Sequence, residues 1–572
     1  MDIVHKFSYR PALLESLRHY SLSRFKSDLT AGTVVGIVAL PLAIAFAIAS
    51  GVSPTAGLIT AIIGGFMVSA FGGNTVQIGG PTGAFIVIIY NIISLYGLTG
   101  LAIATCMAGV LLLIMGVFKL GTVIKFIPYP IVVGFTAGIA LTIFSTQMPD
   151  FFGLTLQGET PGDFIGKWVL YFRSASTVDP ATLITGAVSL LIIIGTPYIS
   201  KRLPGPLLAI IVVSLGVWAL DKAGLCSGVE TIGSRFGTLP TDIPTPQSLG
   251  INMESIRLLL PSAFTIAMLG AIESLLSATV ADGVTGARTD SNSELIGQGL
   301  ANITVPFFGG IPVTGAIART MTNITNGGRS PIAGIIHALV LLLVFLFLMP
   351  LINLVPMSCL AAVLIVVAYN MSGWRTVRGI FRNPAADISV LVVTFLLTVI
   401  FDLTIAIEMG MLLAVVLFLK RVMQNTTVRV YGEQLDAAEG TDLSVHEELH
   451  VVKGVSIYEI DGPFFFGVAT KFDELMRNSM ARKPIVRIIR MRKVPFIDAT
   501  GVHNLETLIN SSQAEGIHVV LSGVNENVHR VLSSAHVEKL VGEDHICDHI
   551  SKAVVLANRI ALQKQSFSRP AY

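Results

Sequence analysis

Apolar residues run in long blocks from position 29 to 423, and from 424 to 572 they give way to the usual mixture of apolar and polar positions. A helix that crosses a bilayer needs about 20 mainly apolar residues. Blocks of that kind lie at 29–49, 54–71, 76–96, 99–118, 126–147, 181–199, 205–220, 258–281, 292–308, 311–325, 331–349, 354–370, 386–402 and 403–422, which predicts fourteen transmembrane helices. The first 28 residues hold Arg10, Arg18, Arg24 and Lys26 and no apolar core, unlike a cleaved signal peptide. Beyond 424 the period shortens: VSIYEI (455–460), IVRIIRM (485–491) and IHVVLSG (517–523) read as strands, and TGVHNLETLINSSQAEG (500–516) reads as a helix. The expected organisation is a cytoplasmic segment (1–28), a polytopic α-helical membrane domain (29–423) and a cytoplasmic α/β domain (424–572).

Composition agrees with this and removes alternatives. The chain is 52% hydrophobic and 13% charged, with a mean hydropathy of +0.74, outside the range of soluble globular proteins. A net charge of +2 gives no reason to expect nucleic acid. Cys106, Cys226, Cys359 and Cys547 are scattered without disulfide or metal spacing, and no HExxH, CxxC or Ser/His/Asp grouping occurs in the spans, so neither an enzyme nor a metal or cofactor is expected. Fourteen spans place both termini on the same side. Lys119, Arg329, Arg375, Arg378, Arg382, Lys420 and Arg421 then all fall on that side, which the distribution of basic residues makes the cytoplasm of a multi-pass inner (plasma) membrane protein.

One pattern repeats. GGPTGA (79–84) in the third span is echoed by GG at 309–310 and PVTGA (312–316) in the tenth, corresponding positions of a seven-plus-seven arrangement. Proline and paired glycines resist a continuous helix, so each segment reads as a short extended piece that becomes a helix in mid-membrane. Such a helix start leaves backbone N–H groups unpaired and can hold an anion; the alternative is that the glycines only allow close helix packing. Thr82 and Thr314 stand where a side chain caps the helix or touches the ligand. The eighth span contains one carboxylate deep in an apolar setting, Glu273, either a proton-exchanging group or a structural Glu paired with a base. Asp282 and Asp290, at the inner end of that span, read as solvated loop acids, and His337 as a satisfied helix contact rather than a proton relay.

LPLAIAFAIASGVSPTAGL (40–58), IGGPTGAF (78–85), NSELIGQGLANI (292–303) and PVTGAIARTMTN (312–323) resemble the sulfate permease (SulP) family of anion transporters, and FIDATGVHNL (496–505) resembles its cytoplasmic STAS domain. The resemblance covers nearly the whole chain. It implies two inverted seven-helix repeats, a core domain moving against a gate domain in an elevator-like way, and a homodimer. It also implies a binding pocket at Phe46, Thr82, Gly83, Ala84, Ser277, Thr314, Gly315 and Ala316, with Glu273 as the coupling residue. Relatives that use sodium tend to carry Asp at the Glu273 position, so a coupling proton is expected, with sodium as the alternative. Arg319 resembles an arginine near the anion site of several relatives; it either adds positive charge for the ligand or pairs with Glu273. In soluble STAS relatives the D-x-S/T-G loop is phosphorylated, which marks Thr500 as a regulatory candidate, against a reading in which the loop only packs. The implied function is secondary active transport of an inorganic anion, sulfate first, with bicarbonate, small dicarboxylates and anion exchange as alternatives.

Overall fold

The structure, a computed structural model, describes residues 9–567 except 19, 123–127, 159–160, 162, 200–203, 224–227, 243, 402, 432–449 and 468–482; Cys226 lies outside the described residues. The chain separates into two units, Met1–Ala414 and Val415–Tyr572.

In the first unit the apolar blocks are helical, because inside a bilayer only a helix or a closed barrel satisfies every backbone polar group. Helix α1 (Leu22–Ala49) is capped by Ser21, whose hydroxyl accepts from Arg24 N at 3.3 Å. Helix α2 (Pro54–Phe71) winds through a π-helical turn at Thr60–Gly64. Helix α3 (Ile86–Val117) breaks at Gly97, where φ is 69°. There follow α4 (Tyr129–Thr146), α5 (Pro180–Ile199), α6 (Gly205–Lys222) and α7 (Met253–Thr285). Then come α8 (Ser291–Thr304), α9 (Ile317–Thr325), α10 (Ile332–Phe347), α11 (Met357–Met371) and α12 (Ala385–Ile400), and α13 (Leu403–Asn425) begins in this unit and ends in the second. Among the described residues eight helices are long and apolar enough to cross a membrane, and α10 and α12 are shorter apolar ones. The blocks expected at 292–308 and 311–325 are of another kind. Helix α8 has 14 residues and turns Glu294, Gln298 and Asn302 into the protein interior, and α9 has only 9 residues. Helices α5 and α6 expose Ile184, Leu191, Tyr198, Ile211 and Leu215, a surface suited to lipid.

The second unit is built on a five-stranded sheet in the order β3 (Thr427–Tyr431), β4 (Val455–Asp461), β5 (Val486–Lys493), β6 (His518–Ser522), β7 (Ile546–Cys547). The first pair is antiparallel and the rest are parallel. Strand alternation sends Ile489 and Leu521 to one face, against Leu505 and Ile509 of α14 (Ala499–Ala514) and Val528 and Leu532 of α15 (Glu526–Ser534). Ile488 and Val520 go to the other face, against Val554 and Ala557 of α16 (Ile550–Phe567).

Candidate functional site

The two repeated motifs meet. Strand β1 (Gly79–Gly80) pairs antiparallel with β2 (Thr314–Gly315), Gly79 opposite Gly315 and Gly80 opposite Thr314. Ala316 N extends the ladder by donating to Ile78 O at 3.0 Å. Each strand leads directly into a helix start. After Thr82, the 3₁₀ turn Gly83–Phe85 opens α3, and after Ala316 the chain enters α9. The extended pieces are short because Pro81 cannot donate and the helices begin as soon as the glycines end. The crossing leaves no room for side chains. A Cβ on Gly80, whose φ is +149°, would lie 2.1 Å from Arg319 Nη1, and one on Gly315 would lie 1.9 Å from Gln77 Nε2.

The expected site residues sort into those facing the crossing and those supporting it. Thr82 occupies the N-cap position without making a side-chain cap, and its buried hydroxyl has no hydrogen-bond partner. Thr314 is committed: its hydroxyl donates to Gly270 O of α7 at 2.9 Å, and Ala316 is the N-cap residue of α9. Phe46 of α1, Ile143 of α4 and Met371 of α11 crowd Gly83; a Cβ there would lie 3.4, 3.3 and 2.9 Å from their atoms. Ala84 and Ala316 are buried beside the two helix starts. Ser277 donates to Thr320 Oγ at 3.3 Å, and that oxygen accepts from Ile78 N at 3.1 Å, so Ser277 stands behind the ladder.

Arg319 is buried and donates to Gly79 O at 3.3 Å and Pro81 O at 2.5 Å. It therefore brackets the backbone of the first motif, and no ion pair joins it to Glu273 among the described residues. Glu273 lies half-buried on α7 with no hydrogen bond or ion pair among the described residues. Thr500 belongs to the second unit, exposed in the first turn of α14, whose N-cap Asp498 accepts from Gly501 N at 2.7 Å and Phe466 N at 3.1 Å.

A second intramembrane carboxylate escaped the sequence reading. Glu294 is fully buried, and its Oε2 accepts from Gly73 N and Asn74 N at 2.9 and 3.1 Å. Its Oε1 accepts from Gln77 Nε2, Ser274 Oγ and Gln298 Nε2 at 2.9, 3.0 and 2.9 Å. The i, i+4, i+8 spacing of Glu294, Gln298 and Asn302 is the signal that was available. Asp28 was also unmarked. It is buried, accepting from Arg329 N at 2.8 Å, Ser330 Oγ at 2.5 Å and Tyr20 OH at 2.9 Å. Burial first and then the Asp28 carboxylate push the Tyr20 phenol up to about 12.

Two expectations need correction. Asp282 and Asp290 do not extend into solvent as free acids. Asp282 accepts from Thr289 N and Oγ1, both at 2.8 Å, and Asp290 caps α8 through Asn292 N and Ser293 N at 3.0 and 3.2 Å. His337 is fully buried, its ring beside the backbone hydrogen-bonding group of Gly334 one turn earlier on α10.

Residues 25–394 match the sulfate permease family and residues 447–553 match the STAS domain. YvdB of Bacillus subtilis, named for sulfate transport, is 40% identical over 532 residues, 93% of this chain and 97% of that one. The bicarbonate transporter BicA of a Picosynechococcus strain is 30% identical over 531 residues, 91% of this chain and 92% of its own. The murine anion transporter Slc26a9, solved in an inward-facing state, superposes with a TM-score of 0.86 at 19% identity, covering 96% of this chain and 94% of that one.

Proposed function

The chain belongs to the sulfate permease family and is an anion transporter with a STAS domain, and from that premise we propose that it takes up sulfate by proton symport. The observation that carries this reading is the antiparallel pairing of Gly79–Gly80 with Thr314–Gly315, which brings two helix starts to one buried place. Each start offers unpaired N–H groups and a partial charge of about +0.5. The unpartnered Thr82 hydroxyl adds a donor, and Arg319 adds a full positive charge behind the first motif. In this reading the anion lies against Thr82, Gly83, Ala84, Gly315 and Ala316 under the ring of Phe46, while Ser277, Thr314 and Arg319 hold the backbone that binds it.

Glu273 is the coupling group. A carboxylate without a partner in this setting takes up a proton before an anion can approach it and releases the proton when the anion leaves. Fourteen spans form two inverted seven-helix repeats, and the core that carries the crossing slides against a gate in an elevator-like cycle. The protein sits as a homodimer in the inner membrane with both termini cytoplasmic, and Thr500, exposed at a helix start, is a regulatory phosphorylation site. A second reading, bicarbonate, is favoured by the 30% identity to a bicarbonate transporter.

The test is uptake of radiolabelled sulfate into liposomes holding the full-length protein, with and without an inward proton gradient, in competition with bicarbonate, chloride and succinate. Gradient-driven accumulation that is lost in Glu273→Gln while some exchange persists is the expected result. Accumulation unchanged in that variant removes the coupling role, and transport of a competitor in place of sulfate removes the substrate.

A further inference from the structure

One cavity borders the crossing without belonging to it. It has a volume of about 40 Å³ and is lined by, among others, Ile86 and Tyr90 of α3, Ser145 of α4, Asp163 and Lys167. Ile86 directly follows the Gly83–Phe85 turn, so the cavity begins next to the first helix start. At roughly 10–15 Å³ per water of such space, it has room for about three waters, or for one small oxyanion. Lys167 reaches it from the amphipathic helix Phe164–Arg173, in the long segment between α4 and α5.

Two hydrogen-bond donors line this cavity without acceptors. Lys167 is more than nine-tenths buried, its Nζ lies 5.2 Å from the centroid of the Tyr90 ring, and no carboxylate or carbonyl accepts from it among the described residues. Ser145 is fully buried, and its hydroxyl has no partner. Asp163 also lines the cavity, but it is occupied in capping its own helix, accepting from Gly166 N at 2.6 Å, and forms no ion pair with Lys167. Burial pulls the Lys167 ammonium below its ordinary range, and Asp163 only partly opposes this. A buried ammonium and a buried hydroxyl, both lacking acceptors, are costly unless an acceptor arrives.

We propose that this cavity is a second anion site, in which the Lys167 ammonium and the Ser145 hydroxyl hold a small oxyanion on its way to the paired helix starts. The proposal rests on the transport reading above. In the topology given there the segment carrying Lys167 is external, so the site serves the outer face. Sulfate and bicarbonate share the chemistry it recognises: a compact oxyanion that takes a charge-assisted hydrogen bond from an ammonium and a neutral one from a hydroxyl.

The experiment compares the two faces of the full-length protein. In cells and in vesicles of known orientation, K167M is expected to raise the KM for external anion by roughly tenfold, the usual effect of losing a hydrogen bond from a charged group. The KM for internal anion stays unchanged, and K167R stays near wild type. S145A raises the external KM severalfold and keeps the test available if K167M fails to reach the membrane. In a C226S background, K167C is expected to regain external affinity after 2-aminoethyl methanethiosulfonate is added outside and not after the 2-sulfonatoethyl reagent. External KM unchanged in both K167M and S145A, or internal and external KM shifted together, overturns the site and leaves the transport reading intact. The second pattern would make Lys167–Tyr90 a latch between helices. Absence of saturable wild-type uptake of sulfate, bicarbonate, chloride and succinate overturns both.

Discussion

Glu294 offers a sharp test of what holds the crossing in place. Replacing it by Ala removes the acceptor of five donors at once. The three side-chain donors can turn to other partners; Gln77 Nε2, for instance, already lies 2.7 Å from Ser274 Oγ. Gly73 N and Asn74 N cannot, because they are fixed in the backbone between α2 and β1. Two stranded N–H groups at about 1–3 kcal/mol each make a loss of about 2–6 kcal/mol, a large part of a typical stability of roughly 5–15 kcal/mol. Glu294→Gln should cost much less, about 1–2 kcal/mol. Its carbonyl can serve the two N–H groups, and its NH2 can donate to Gln77 or Gln298, whose Oε1 atoms are buried without partners and become acceptors if their amides turn. Graded heating in detergent followed by size-exclusion chromatography measures the order wild type, Gln, Ala. An Ala variant that survives heating as wild type does, or a Gln variant as fragile as Ala, refutes the carboxylate clamp. A Gln variant that is stable yet loses gradient-driven uptake would make Glu294, and not Glu273, the proton carrier.

Three further outcomes are expected. Gly315→Ala places a methyl 1.9 Å from Gln77 Nε2 and so displaces the side chain that bonds Glu294; anion uptake should be abolished while the STAS unit, followed by circular dichroism of the purified chain, stays folded, and full uptake would contradict the close approach. Arg319→Ala should raise the KM for anion by roughly tenfold, with Arg319→Lys in between because it keeps the charge but loses the fork to Gly79 O and Pro81 O; low yield with unaltered KM would make the residue a bracket alone. His518 has its pKa lowered by burial, then by the Lys564 and His545 charges. The folded state therefore binds the proton less readily than the unfolded state, and its contribution to stability is present above about pH 6.5 and lost as pH falls. His518→Gln should flatten that slope in thermal melts of the full chain between pH 7.5 and 5, and an identical slope would remove His518 as its source.

The sequence by itself determined the membrane character, the presence of an α/β unit in the C-terminal part of the chain, and the two glycine-proline motifs, since each rests on a local property: hydropathy, strand and helix period, and residues that cannot propagate a helix. It also marked Glu273 as an isolated carboxylate, because isolation along the chain is a sequence property. Only the tertiary structure decided which groups face the crossing. Thr82 and Thr314 occupy matched places in their motifs, yet one hydroxyl is unpartnered and the other is spent on Gly270 O, a residue 44 positions away. Arg319 bonds carbonyls 238 and 240 positions distant rather than the nearer Glu273. Glu294 is, along the sequence, one polar residue of the 292–308 block, and becomes a fully buried anchor only because the turn at Gly73–Asn74, more than two hundred residues earlier, supplies its N–H groups. Hydrogen-bond satisfaction in a low-dielectric interior depends on which atoms end up within about 3 Å of each other, and that distance is set by how the helices pack, which no local stretch of sequence records.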